Sequence, residues 1–265
     1  MATDKKVIHV GDDESAPAQQ GTGKIFVPTP ESKGKATQLR LIACILWFLG
    51  ICAEIGAILV LIKSAKPIGT STWVWMIVFI VVDLIFIIIG SQIWKRANRF
   101  DPASEKDKIK FFIQNQLGVI ISVIAFLPLV LLIFTNKNLS GTQKGVLGGI
   151  AAIALIIAGV TSADFNPPSV EQYTQQTNRV EELTGINHVF WTKSGTKYHL
   201  YNDCSSINTK RTDKIFEGTV AQARELKNIT ELCKFCEKRA EKEKGLDGTS
   251  VPASQPAQNP QPSGN

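Results

Sequence analysis

Hydrophobic and polar positions along this chain are segregated into blocks. Four apolar runs follow one another, Leu41 to Ile62, Thr72 to Ile93, Leu117 to Phe134 and Gly145 to Val160, and the ends, 1–40 and 164–265, are polar. Each run approaches the ~20 residues a helix needs to cross roughly 30 Å of hydrocarbon. A soluble core helix rarely keeps so long a stretch almost free of charge, and here that would have to happen repeatedly. The pattern predicts an α-helical membrane protein with four transmembrane helices.

Bulk composition conceals this: 44% of the 265 residues are hydrophobic and 20% charged, yet mean hydropathy is only +0.06, because a lipid-like middle is averaged with polar ends. The net charge of +6 would suit binding to nucleic acid, but much of the basicity borders the apolar runs, where orienting the helices explains it. Lys24, Lys33, Lys35 and Arg40 precede the first run, and Lys95, Arg96, Arg99, Lys106, Lys108 and Lys110 separate the second from the third. The other two loops carry only Lys63 with Lys66, and Lys137 with Lys144. By the positive-inside rule both termini are expected in the cytoplasm of a multi-pass cell-membrane protein. Trp73, Trp75 and Trp94 stand at the ends of the second run, where an aromatic belt would lie.

Residues 1–40 contain few large apolar side chains and are expected to be a disordered arm, either simply solvated or contacting a partner through Lys24 to Val27. No cleavable signal peptide is expected, since the first 38 residues lack an apolar core and the first run is too long for one. In the central loop, Asp101-Pro102 reads as an N-cap with proline at the first helical position, so a short helix is expected over Ala103 to Phe112.

Within the runs, Glu54 and Asp83 lie at similar depth if the first two helices are antiparallel. An ionisable side chain there costs at least about 2.5–3.5 kcal/mol, and neither acid has a basic residue at its depth. Two readings stand side by side: protonated carboxyls that fix helix packing, or a relay for protons or cations. Gly145, Gly148, Gly149 and Gly159 of the fourth run are expected to form a surface for close helix approach.

Asp164 to Pro168 must end the fourth helix and opens a linker, 164–187, in which Ser169 to Thr184 can be helical. A polar module follows, 188–244. It holds His199, Cys204, Cys233 and Cys236, a closed set of imidazole and thiolate ligands of the kind structural Zn²⁺ takes. Val189-Phe190-Trp191 and Lys197-Tyr198-His199 flank Lys193 to Thr196 and read as a hairpin. Cys236 opens a second charged helix, whose positive N-terminal end favours thiolate. A redox CxxC is the competing reading, but it leaves the upstream His and Cys without a use. Cys44 and Cys52 read as packing residues of the first helix. His188 reads as a polar strand residue, and His9 is assigned no role. Residues 245–265 are Pro, Gln, Ser, Ala and Gly rich and are expected to be a disordered tail.

The run Phe190 to His199, then Cys204, then Ala221 to Glu225 leading to Cys233 and Cys236, resembles a small bacterial zinc module with a YHxxxxC and CxxC pattern. That module is similar to the metal-binding domain of Ada-type DNA alkylation repair proteins, and it occurs appended to other proteins, including nucleases and membrane proteins. The Ada pattern uses four cysteines where this chain has His199, so the resemblance does not imply thiolate methyl transfer. Four spans followed by this module resemble uncharacterised bacterial membrane proteins, which implies a location and no activity.

The function expected from the sequence is display of a structural zinc module to the cytoplasm for partner binding or regulation. The alternatives are a small ion or proton carrier using Glu54 and Asp83, and a membrane-tethered nucleic-acid-processing factor. Expected partners are membrane lipid, a cytoplasmic protein or nucleic acid, and a second copy of the chain. No catalytic motif stands out.

Overall fold

The computed structural model describes residues 6–10, 25–63 and 70–245, which fall into two compact units. The first, 25–174, contains four long helices, α1 (Pro30–Lys63), α2 (Thr70–Phe100), α3 (Lys108–Thr135) and α4 (Gly141–Ser162). All four are long and apolar enough to cross a membrane.

Because these helices are apolar all round, their inward faces are marked by small side chains. In α1 the buried positions Ala43, Trp47, Gly50, Glu54, Ala57 and Leu61 recur at helical spacing, and they meet Met76, Ile80 and Ile87 of α2 and Phe126 and Leu129 of α3. Cys44 and Cys52 are exposed on the opposite face of α1, so they do not pack between helices as expected. In α4 the packed face carries Leu147, Gly148, Ala151, Ala154 and Ala158. A Cβ on Gly148 would fall 2.5 Å from the Phe134 ring, whereas Gly145, Gly149 and Gly159 face open space. The expected glycine surface is thus mostly unused, and Gly148 alone among these four makes the close approach.

Helix ends depart from the sequence expectation where local capping chemistry outran the apolar pattern. Residues 30–40, expected to be disordered, form the first three turns of α1. Thr29 Oγ1 accepts from the Ser32 N–H at 3.1 Å, Pro30 occupies the first helical position and Glu31 follows. The preceding arm is docked as well, since Phe26 stacks on Tyr173 with ring centroids 4.6 Å apart. Asp101 does not cap a helix. Its carboxylate takes Arg40 Nη1 at 2.7 Å, while Asp107 caps α3 by accepting from the Lys110 N–H at 3.1 Å. The helix expected to start at Ala103 therefore starts at Lys108. Trp94, half-buried near the end of α2, packs on Trp47 at 5.3 Å and donates to the Gln114 carbonyl at 2.7 Å.

Helix α5 (Val170–Thr184) occupies most of the expected linker, its residues from Gln175 onward belonging to the second unit. That unit is mixed α and β. It adds β1 (Lys6–His9), β2 (Val189–Thr192), β3 (Lys197–Tyr198), β4 (Lys214–Gly218), α6 (Val220–Lys227), β5 (Glu231–Leu232) and α7 (Lys234–Glu243). Strand β4 lies between β1, parallel to it, and β2, antiparallel, and β3 pairs with β5 in parallel. The expectation of disorder therefore fails at Lys6–His9. The core joins Val180 and Leu183 of α5 to Val189, Trp191, Tyr198, Ile215, Val220, Ala223, Ile229 and Ala240. Here α5 buries an apolar stripe and is a structural part of the module, not a spacer ahead of it, so the unit is larger than the expected 188–244. The expected tail beyond Gly245 lies outside the described residues.

Candidate metal centre

Backbone pairing places the ligand-bearing segments side by side. The hairpin forms as expected: Phe190 and His199 exchange both backbone hydrogen bonds at 2.7 Å. In the β3–β5 ladder Tyr198 pairs with Leu232, so His199 and Cys233, the next residue on each strand, are neighbours. Cys233 is the N-cap of α7, and Cys236 lies in its first turn. Cys204 enters from a loop whose turn is closed by its carbonyl, which accepts from the N–H groups of Ile207 at 3.0 Å and Asn208 at 2.8 Å.

His199, Cys204, Cys233 and Cys236 are all buried, and their four donor atoms lie within 4.8 Å of one another, so the group can hold a metal ion. Cys236 Sγ is 3.7 Å from His199 Nδ1. Burial, helped by the nearby Lys197 charge, holds the His199 imidazole down to about 4, leaving it neutral with a lone pair to give. Burial pushes the Cys236 thiol up to about 12, and Cys204 and Cys233 beside it add to this. Burial also acts on Cys233, but the N–H groups of Cys236 and Phe235 at the start of α7, together with the Cys204 and Ser206 side chains, outweigh it and hold this thiol below its ordinary value. Three thiols packed together resist joint ionisation, and a bound divalent cation is what reverses that balance.

Two supporting arginines were not singled out from sequence. Arg239 lies 4.0 Å over the Tyr201 ring, reaches Asp203 at 3.0 Å and Glu243 at 2.9 Å, and so ties the Cys204 loop to α7. Arg179 of α5 reaches Glu237 at 3.0 Å and also Glu241, joining α5 to α7. Arg239 and Glu243 are four residues apart on α7, but the contacts to Asp203, Glu237 and Glu241 are long-range, so no local motif announces them.

Glu54 and Asp83 are both buried in the helical unit. A Cβ on Gly50, one turn before Glu54, would fall 2.8 Å from Asp83 Oδ1. The two acids thus face each other across α1 and α2. Glu54 Oε1 and both Asp83 carboxyl oxygens are buried without a hydrogen-bond partner among the described residues.

No protein-family model, curated protein or solved structure matches this chain.

Proposed function

We propose that this chain is an integral membrane protein that displays a structural zinc module to the cytoplasm, where the module contacts a protein or nucleic-acid partner. The observation that carries the reading is the closed donor set. Four buried N and S donors lie within 4.8 Å of one another, the number and kind that a structural zinc site takes, whereas a catalytic site keeps one position for water or substrate. A tetrahedral zinc ion, with Zn–S about 2.3 Å and Zn–N about 2.0 Å, separates its donors by about 3.5–3.8 Å. The 3.7 Å between Cys236 Sγ and His199 Nδ1 falls within that interval.

Phe235 lies between Cys233 and Cys236 and is 72% exposed, so it is the position from which partner contact can be tested. The basic bias of the N-terminal arm and central loop supports the cytoplasmic side. A photo-crosslinking residue placed at 235 in the full-length protein should trap a specific partner in cells while metal content stays unchanged. Absence of any crosslink from a metal-loaded protein would remove the partner role. A reporter fused after Lys244 should be active in the cytoplasm, and periplasmic activity would overturn the topology.

The unpartnered Asp83 carboxyl favours a second reading, a proton or cation path through Glu54 and Asp83. Reconstituted vesicles should then show a flux that Asp83→Asn abolishes. No flux from the intact protein would leave the carboxyls a packing role only.

A further inference from the structure

The chain contains three histidines, and one of them belongs to the cluster described above. The other two, His9 and His188, flank a single carboxylate, Glu217. We propose that these three residues form a second metal site, open to solvent, for a divalent transition ion such as Zn²⁺, Co²⁺ or Ni²⁺.

Strand register brings the three together. His9 pairs directly with Glu217 across the parallel β1–β4 ladder, and Phe190 pairs with Glu217 across the antiparallel β2–β4 ladder. His188 stands two residues before Phe190 and so shares its face of the sheet. The central strand therefore presents its carboxylate between two imidazoles. His9 Nδ1 is 3.3 Å from Glu217 Oε1 and His188 Nε2 is 3.8 Å from Glu217 Oε2. The three donor atoms all lie within 4.8 Å of one another. Donors about 2.1 Å from one ion are separated by about 3.0–3.4 Å in cis-octahedral or tetrahedral geometry, so small rotations of the side chains suffice. The edge-on contact of His188 with the Phe190 ring, centroids 4.9 Å apart, sets the plane of one imidazole.

The donor chemistry separates this site from the first. Two imidazoles and a carboxylate suit borderline transition ions better than Mg²⁺ or Ca²⁺. Three protein ligands leave coordination positions for water or a small anion, where the four-donor site leaves none. His9 is exposed and the other two are half-buried, so the ion exchanges with solvent. It also bridges β1 to β4 and fastens the N-terminal strand to the sheet.

The test uses full-length, tag-free protein in detergent with the Cys–His site already loaded with zinc. Added Co²⁺ should bind as one further equivalent and give weak absorption bands without thiolate charge transfer. His188→Ala and Glu217→Ala should each abolish that equivalent while the first zinc is retained. Bound Co²⁺ should also protect His9 and His188 from diethyl pyrocarbonate. Failure of the wild-type protein to take up the second ion at micromolar free metal overturns the proposal. So does uptake that persists in the His188→Ala/Glu217→Ala double variant.

Discussion

The Cys233 backbone N–H donates to the Tyr198 carbonyl at 2.9 Å, extending the β3–β5 ladder by one step into the N-cap of α7. The strand that delivers His199 and the helix that delivers Cys233 and Cys236 are therefore one hydrogen-bonded unit. Only Cys204 has to be positioned separately, by its own loop.

Metal removal should act on this unit first. Apparent binding free energies at closed zinc sites are about 10–16 kcal/mol, so losing one of four ligands should cost several kcal/mol. Full-length Cys204→Ser, Cys233→Ser or Cys236→Ser should lose the intense thiolate–cobalt charge-transfer band after Co²⁺ exchange, and a strong chelator should do the same to the parent. Cys44→Ser and Cys52→Ser should leave the band intact, because these thiols lie exposed on α1.

Arg179 offers a test of the brace on α7. Its contacts to Glu237 and Glu241 are partly solvent-screened, so Arg179→Ala should cost about 1 kcal/mol and speed metal release. Dissociation kinetics with a chromophoric chelator would measure this. Glu241→Ala alone should have a smaller effect, since Glu237 remains paired.

The glycines of α4 separate packing from composition. Gly148→Ala would bring its methyl onto the tip of the exposed Phe134 ring, which must move aside, and should destabilise the helical unit by about 1 kcal/mol. Gly145→Ala and Gly149→Ala meet open space and should be neutral or mildly stabilising, given the better helix propensity of Ala. Thermal stability of the detergent-solubilised protein, followed by size exclusion, would rank the three.

Glu171 predicts a dependence on pH. Burial works against its charge, but Ser104 Oγ donates to Oε1 at 2.5 Å and the Glu105 N–H to Oε2 at 2.8 Å, and together they hold the carboxyl below its ordinary 4.5. Below that ordinary value the unfolded chain binds the proton more readily than the native one, so stability falls as pH drops through the native value. The stability difference between the parent and Glu171→Gln should be constant at neutral pH and shrink once pH falls below about 4.5. A gap that widens on acidification would contradict the assignment.

The four apolar runs and the four residues of the candidate metal site were legible in the sequence because each rests on a local signal. Hydrophobic length marks a helix able to cross a membrane, and ligand type with short spacing marks a donor set. The Thr29-Pro30-Glu31 start of α1 is an equally local signal, but the polar composition of the arm masks it. Other features were decided only by tertiary structure. A helix that is apolar on every side carries no periodic contrast, so nothing in its sequence says that Gly148 packs while Gly149 faces open space, or that Cys44 and Cys52 point outward. Side-chain shape at the helix contacts settles that. Pairing between distant strands is likewise set by the whole sheet. It brings Glu217 beside His9 and His188, which are far apart along the chain and carry no shared motif. Arg179 meets Glu237, and Arg239 meets Asp203, for the same reason: these contacts exist only once α5, the Cys204 loop and α7 have packed around one core.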